Sequence, residues 1–144
     1  MEAVKAIIMV NKKLLILKRT PFYLRKTIPS KYKDYLDKDK DDLWDLPGGG
    51  IKKKETKIQA LKREVKEETN LDVNVLERHN KWSFITLKGN ERKVNNYLCE
   101  VLGDVKKIKL SDEHSEYKWI NLKEVRKYKF KNESFYLSLK DLID

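Results

Sequence analysis

The stretch that most constrains this chain runs from residue 46 to residue 71 and reads LPGGGIKKKETKIQALKREVKEETNL. Three consecutive glycines come first, and residues 57–69 follow with the spacing of a helix that packs one face against a core. That face is formed by Ile58, Leu61, Val65 and Thr69. Thr56 and Gln59 have the spacing of a capping box, which favours a helix that begins at residue 57.

Three glutamates, Glu64, Glu67 and Glu68, lie on the arc beside this face, where like charges three and four positions apart repel each other. One interpretation is an ordinary salt-bridged surface helix in which Arg63 pairs with Glu67. The other is a metal site, because clustered carboxylates beside glycine backbone supply the oxygen ligands that Mg²⁺ or Mn²⁺ prefers. Ala60, one turn before Glu64, is expected to leave open space in front of the acids.

The spacing of this stretch resembles the Nudix box, Gly-x5-Glu-x7-Arg-Glu-aliphatic-x-Glu-Glu-x-Gly-aliphatic. The matching residues are Gly49, Glu55, Arg63, Glu64, Val65, Glu67, Glu68 and Leu71. Asn70 stands in place of the final box glycine, where the helix ends in a left-handed conformation that Asn adopts most readily after Gly. The segments LLILKR, WDLPGGG and EYKWI also resemble parts of Nudix hydrolases, so the resemblance covers nearly the whole chain except residues 20–43.

The resemblance implies a fold class, a reaction and a cofactor. The fold would be α/β (α+β), a Nudix-type α/β/α sandwich with a mixed β-sheet, the Nudix loop–helix packed on it, and C-terminal helices. The reaction would be hydrolysis of the pyrophosphate linkage in a nucleoside diphosphate linked to another moiety, with Mg²⁺ or Mn²⁺ as cofactor. The expected substrate is a nucleoside triphosphate or an oxidised nucleotide, with ADP-ribose, other nucleoside diphosphate sugars and dinucleoside polyphosphates as alternatives.

The resemblance also implies roles for the box residues. The metal ligands would be the carboxylates of Glu64, Glu67 and Glu68 and the carbonyl of Gly48. Arg63 would orient the acids, Glu55 would brace the loop–helix unit, and Gly49 would have a structural role. Glu64 is the candidate general base within the box, although some family members place the base on a loop after the sheet.

In this chain that loop reads LSDEHSEYKW, and its candidates for the base are Glu113 and Glu116. Acids and Ser are also typical of a polar turn before a strand, and His114 is expected to cap that turn or to face solvent. Lys18 and Arg19 end the second predicted strand, where they either contact substrate phosphates or simply meet solvent.

The rest of the chain predicts one mixed α/β domain over residues 1–144. A hairpin is predicted at 2–10 and 13–19, and residues 20–43 are expected to form a long insertion or a mobile loop. The remaining predicted strands are at 72–103, 105–110 and 116–120, and two short helices at 121–128 and 132–143 are capped by Asn121 and Asn132. Trp44, Trp82, Phe84 and Trp119 are interpreted as core residues, and His79 as a strand residue.

The amino-acid composition limits the cellular compartment and the kinds of partner that can be expected for this chain. The 33 Lys and Arg and 23 Asp and Glu give a formal net charge of +10, which favours an anionic partner or a solubilising surface. Cys99 is the single cysteine, which fits a reducing cytoplasm. No apolar run reaches the ~18 residues of a membrane helix.

We therefore expect a cytoplasmic monomer or homodimer acting on a small-molecule nucleotide, with no membrane and no specific nucleic acid. A non-catalytic Nudix-like module that binds nucleotide or RNA is the alternative, but such modules lose box glutamates and this chain keeps them all.

Overall fold

The computed structural model describes residues 2–21, 43–86, 88–131 and 133–143. Its strands are β1 (Glu2–Val10), β2 (Lys13–Arg19), β3 (Trp44–Asp45), β4 (Gly48–Gly50), β5 (Asp72–Ile85), β6 (Glu91–Leu102) and β7 (His114–Asn121). Its α-helices are α1 (Lys57–Thr69) and α2 (Glu133–Leu139), and its 3-10 helices are Val105–Lys107, Leu122–Lys127 and Lys140–Leu142. The prediction of a loop at 20–43 and the predicted cap at Asn132 lie, apart from residues 20, 21 and 43, outside these ranges.

The strands form one mixed sheet around β1. Strand β6 runs parallel to β1 along one edge, with Glu2 opposite Lys93 and Ile8 opposite Cys99. The other edge of β1 is shared, because β4 pairs with Ala3–Lys5 while β2 joins only at the hairpin end, Val10 opposite Lys13. Beyond that point β2 pairs with β3 and, along its other edge, with β7. Residues 44–50 therefore occupy the space between the diverging strands β1 and β2.

Two hydrophobic cores cover the two faces of this sheet, because successive side chains of a strand point to opposite faces. Val4, Ala6 and Ile8 of β1 pack with the buried residues of α1. Ile7 packs instead with the elements around α2, including Phe135. The sandwich of a mixed sheet between helical layers confirms the expected fold class. No helix among the described residues is long and apolar enough to span a membrane.

The predicted elements are confirmed at the hairpin, at α1 and at β5–β6. The hairpin turn uses Asn11 and Lys12, both with positive φ, and the capping box at Thr56 and Gln59 is present with both hydrogen bonds. Asn121 caps the helix that follows it by accepting from the backbone N–H of Lys123. Trp44 is buried in the second core, and Trp82, Phe84 and Trp119 are half-buried.

Two local predictions were wrong. The strand expected at 105–110 is a 3-10 helix at Val105–Lys107, because the side chain of Asp104 accepts from the backbone N–H of Lys106 and starts a helical turn. The docking face of α1 is rotated from the predicted one. Ile58 is 38% exposed, whereas Ala60 is fully buried in the core instead of leaving open space in front of the acids. The rotation brings Glu68 onto the buried side of the helix.

Candidate active site

Strand β4 brings bare backbone against the acids of α1. Gly48 has a φ of +146°, and a Cβ there would lie 2.1 Å from the carbonyl oxygen of Val4. A Cβ on Gly49 would lie 2.7 Å from the carboxyl carbon of Glu64. A side chain on Gly48 would clash with the backbone of β1, and a side chain on Gly49 would displace the carboxylate of Glu64. The glycines let the carboxylates of α1 approach the backbone of β4 directly.

Arg63 holds one group of acids together. Its Nε and Nη2 bind the two carboxylate oxygens of Glu55 at 2.6 and 2.9 Å, a bidentate pair that joins the helix to the preceding loop. Its Nη1 donates to Glu64 at 2.9 Å and to Glu67 at 3.3 Å. The second donor of Nη2 goes to the carbonyl of Gly50 at 3.1 Å. The expected Arg63–Glu67 pair is present, but it is one part of a larger cluster.

The electrostatics of these acids differ. Hydrogen bonds from Arg63 and from the backbone N–H of Lys52 lower the pKa of Glu55 to about 2. Burial raises the pKa of Glu64 although Arg63 opposes the shift, and the nearby carboxylates of Glu67 and Glu113 add to it. The side chain of Glu67 is 54% exposed, which makes it the most open acid of the helix cluster.

Glu68 is the buried acid of the helix, with only 4% of its surface exposed. Its Oε1 accepts the backbone N–H of Gly48 at 2.7 Å. Its Oε2 lies 3.3 Å from Nδ1 of His114, which is itself buried. Loss of solvation raises the pKa of Glu68 to about 8, although Lys5 and the Gly48 N–H act in the opposite direction. Without a cation, burial therefore favours the protonated form of this carboxyl group.

A partly buried ion pair that the sequence did not single out lies close to Glu68. Lys5 Nζ binds Asp45 Oδ2 at 2.9 Å and the carbonyl of Leu46 at 3.2 Å. Burial alone would raise the pKa of Asp45, but Lys5 and then Arg19 outweigh it and lower the pKa. The signal available in the sequence was a lysine inside an otherwise apolar strand, AVKAII.

The loop before β7 places one of the two candidate bases, Glu113, close to Glu68 of α1, but not the other, Glu116. Glu113 is exposed, and one ligand atom from each of Glu68, Glu113 and His114 falls within 4.8 Å of the others. Glu116 is not in this group. It lies opposite Lys18 in the β2–β7 ladder, and its carboxylate is 3.9 Å from Lys118 Nζ.

The expectation that His114 caps a turn or faces solvent was wrong. As the first residue of β7, His114 pairs in register with Arg19, and its side chain is turned inward against Glu68. The carbonyl of Glu113 accepts the backbone N–H of Thr20 at 2.9 Å, which ties the start of β7 to the end of β2. Arg19 is also close enough to Asp45 to lower its pKa, so the end of β2 adjoins the acidic site.

The donor set of this site fits a divalent cation. Carboxylates of Glu64, Glu67, Glu68 and Glu113 converge on one region, and oxygen ligands are what Mg²⁺ and Mn²⁺ bind. Glu68 in particular is a desolvated carboxyl group that a cation would stabilise in its ionised form.

A family model described as the NUDIX domain matches residues 1–139. The chain belongs to the Nudix family and is a hydrolase of that family. The chain is 29% identical over 116 residues to the 8-oxo-dGTP diphosphatase of Buchnera aphidicola subsp. Schizaphis graminum (strain Sg). The aligned region covers 81% of this chain and 79% of that protein.

Solved structures share the fold. The MutT protein from Methanosarcina mazei Go1 superposes with a TM-score of 0.74 at 24% identity, over 97% of this chain and 90% of that one. A NUDIX hydrolase from Nitrosomonas europaea has a TM-score of 0.75 at 19% identity, over 98% of this chain and 86% of that one.

The one departure from the Nudix box is accommodated by the backbone. Asn70 has φ 66° and ψ 8°, the left-handed conformation expected for the final box glycine. Its N–H closes the helix on the carbonyl of Lys66, and its side-chain amide donates to the carbonyl of Lys107 at 3.1 Å. Asn therefore supplies the required conformation and adds a contact that glycine could not make.

Proposed function

We propose that this Nudix hydrolase cleaves the pyrophosphate linkage of a nucleoside diphosphate derivative in a reaction that depends on Mg²⁺ or Mn²⁺. The observation that carries the proposal is the arrangement of three helix glutamates, two held by Arg63 and one buried beside Gly48. A bound divalent ion would neutralise charge on the phosphate oxygens and would lower the pKa of a water molecule. The proposed ligands are Glu64, Glu67, Glu68 and the carbonyl of Gly48.

The residues of the chain prepare this site before a substrate arrives. Glu55 and the carbonyl of Gly50 hold the guanidinium of Arg63, and Arg63 in turn fixes the carboxylates of Glu64 and Glu67. Preorganised charges of this kind contribute to catalysis because they need no rearrangement during the reaction. Arg63 is thus proposed as a positioning residue.

Glu64 is proposed as the general base, because burial raises its pKa and makes it a better proton acceptor than an ordinary carboxylate. Glu113 is the second candidate, since its charge is close enough to Glu64 to affect that pKa. Lys18 and Arg19 are proposed to contact the substrate phosphates from the end of β2, which adjoins the start of β7. Glu116, on the Lys18 side of that ladder, would act only on this outer part of the substrate.

A nucleoside triphosphate, including one with an oxidised guanine, is the proposed substrate. This choice is supported by the relative named 8-oxo-dGTP diphosphatase, whose alignment with this chain covers 81% of it. The box itself acts on the diphosphate and does not select the attached group, since specificity in such enzymes depends on other parts of the fold.

A substrate panel tests the proposal. The purified chain is assayed with 8-oxo-dGTP, dGTP, ADP-ribose, a UDP-sugar and diadenosine tetraphosphate at saturating Mg²⁺, and phosphate is measured after pyrophosphatase or phosphatase treatment. We expect kcat/KM for 8-oxo-dGTP to exceed that for ADP-ribose by at least about tenfold. Glu77→Gln, which changes an exposed acid on β5, serves as a control with unchanged rates.

Each outcome of the panel has a distinct meaning. A preference for ADP-ribose, the UDP-sugar or diadenosine tetraphosphate would replace the proposed substrate and keep the reaction class. Turnover of none of the five substrates with either Mg²⁺ or Mn²⁺ would contradict the proposed reaction and favour the non-catalytic module.

A further inference from the structure

His114 and Glu68 form a buried contact that the Nudix box does not include. The imidazole Nδ1 lies 3.3 Å from Glu68 Oε2, and both side chains are about 5% exposed. The other oxygen of Glu68 is occupied by the Gly48 N–H, so the carboxylate has a defined orientation. Glu113, the residue before His114, has a carboxylate oxygen within 4.8 Å of the ligand atoms of Glu68 and His114.

The start of β7 holds this group in place through its backbone. The N–H of His114 donates to the carbonyl of Ser111 at 3.3 Å, and the carbonyl of Glu113 accepts from Thr20 at 2.9 Å. The β2–β7 ladder changes register between Lys18 and Arg19, directly opposite His114. Such irregularities redirect a side chain, and here the redirected side chain is turned toward Glu68.

The separation of His114 Nδ1 and Glu68 Oε2 suits two ligands of one ion. A hydrogen bond between a charged imidazole and a carboxylate is typically about 2.7–2.9 Å long, which is shorter than the 3.3 Å seen here. Nitrogen and oxygen ligands bind Zn²⁺ at about 2.0–2.2 Å, which places two neighbouring ligand atoms roughly 3 Å or slightly more apart. A desolvated Glu68 also gains more from an adjacent cation than an exposed carboxylate would.

We propose that His114 Nδ1 is a nitrogen ligand at this site and that, with Glu68 and Glu113, it binds a transition-metal ion such as Zn²⁺ more tightly than Mg²⁺. The inference rests on the proposed function through Glu68, which both assign to a metal. Imidazole is a common ligand of Zn²⁺, whereas Mg²⁺ takes oxygen ligands and retains water. Three protein ligands leave a coordination position open, as in catalytic rather than structural zinc sites.

The two histidines of the chain allow a direct test by NMR. The full chain is labelled with ¹⁵N-histidine, and long-range ¹H–¹⁵N correlation spectra are recorded during titration with Zn²⁺ and, separately, with Mg²⁺. We expect Zn²⁺ to shift Nδ1 of His114 to the range of metal-bound imidazole, while Mg²⁺ does not. His79, which pairs with Asp141 at 3.0 Å, is the internal control and should respond to neither ion.

Calorimetry with matched variants supplies a second measurement. His114→Gln should weaken Zn²⁺ binding by about tenfold or more, whereas His79→Gln should leave it unchanged. A His114 ring that does not respond to Zn²⁺, or a His114→Gln variant that binds Zn²⁺ as tightly as the wild type, would overturn the inference. The wild-type spectra do not depend on whether the variant folds.

Mg²⁺-dependent turnover, measured on the same wild-type sample, separates the two proposals. Turnover without a Zn²⁺-induced shift of His114 refutes the nitrogen ligand alone. A shift of His114 in a sample that hydrolyses no substrate refutes the proposed function alone.

Discussion

The acids of α1 are held in two different ways, and the contrast is sharpest between the adjacent residues Glu67 and Glu68. Glu67 is half-exposed and belongs to the cluster around Arg63. Glu68 is buried between the Gly48 N–H and His114, with its pKa raised to about 8. We call Glu55, Glu64 and Glu67 the arginine-held acids and Glu68 the buried acid.

This difference indicates which carboxylates would contribute most to the affinity for a metal ion. The arginine-held acids already have a cationic partner, so an ion that binds them competes with Arg63 for their oxygens. The buried acid carries a desolvation cost that its neighbours do not offset, as its raised pKa shows. We therefore expect Arg63 to determine the shape of the site and Glu68 to contribute more of its affinity for a cation.

Replacement of the buried acid should have the largest effect. We expect Glu68→Gln to lower kcat/KM by about a thousandfold, while the thermal midpoint of the metal-free protein stays the same or rises. The amide oxygen can still accept the Gly48 N–H, and no buried carboxyl group remains to be ionised. Nucleotide turnover and thermal melts in EDTA measure the two effects.

Glu67→Gln is the matched variant on the arginine-held side. It should also lose activity, but its thermal midpoint should not rise, because Glu67 is half-exposed and carries little desolvation cost. If Glu68→Gln kept activity within about tenfold of the wild type, the buried acid would not belong to the catalytic site.

Replacement of Arg63 should have the next largest effect. Lysine keeps the charge but cannot make the bidentate pair with Glu55 and also reach Glu64, Glu67 and Gly50. We expect Arg63→Lys to lower the free energy of unfolding by about 2 kcal/mol and to reduce kcat more than it changes KM. Urea unfolding and steady-state kinetics provide the measurements, and an unchanged kcat would show that the arginine-held acids need no fixed orientation.

How far the sequence predicted this site depends on whether the contacts are local. The acids of α1 were predictable because their spacing along the chain sets their spacing on the helix. The contact of His114 with Glu68 and that of Lys5 with Asp45 depend on strand pairing between distant segments. No local pattern records such pairing, so both contacts were missed, and the loop acid that reaches the cluster, Glu113, could not be separated from Glu116.

The errors in the fold have a related cause. The hydrophobic pattern predicted that Ile58 is buried and that Ala60 adjoins open space, whereas Ala60 and Glu68 are buried and Glu68 accepts the backbone N–H of Gly48 in β4. Residues 105–110, VKKIKL, were predicted as a short strand, yet the Asp104 cap produces a 3-10 turn there. In both cases a specific polar contact outweighs the hydrophobic pattern.

The pH dependence of stability should separate the two kinds of acid in metal-free protein. The pKa of Glu68 is raised from 4.5 to about 8, so between these values the folded chain keeps a proton that the unfolded chain has lost, and stability falls as pH rises. The pKa of Glu55 is lowered to about 2, so its contribution is present above pH 4.5 and is lost as pH falls toward about 2.

Thermal melts in EDTA from acid to mildly alkaline pH test this separation. In Glu68→Gln, the thermal midpoint should fall less between about pH 5 and pH 8 than in the wild type. In Glu55→Gln, the thermal midpoint should fall less as the pH drops toward about 2. Mg²⁺ should stabilise the wild type more as pH rises, because the ion binds the deprotonated carboxylate. Identical alkaline limbs for the wild type and Glu68→Gln would mean that the buried acid ionises like an exposed one.

The smallest effect is expected where the helix ends, two residues after the buried acid. Asn70→Gly restores the usual box residue and relieves a positive φ, but it also removes the amide contact with the carbonyl of Lys107. These two terms oppose each other, so the free energy of unfolding should change by less than about 1 kcal/mol and activity should not change. Comparison of Asn70→Ala with Asn70→Gly tests the conformation alone, because both variants lose the contact and only Ala disfavours the left-handed backbone. Asn70→Ala should therefore be clearly less stable than Asn70→Gly and the wild type. If Asn70→Ala matched the wild type in chemical denaturation, neither the left-handed backbone at residue 70 nor the contact with Lys107 would limit stability.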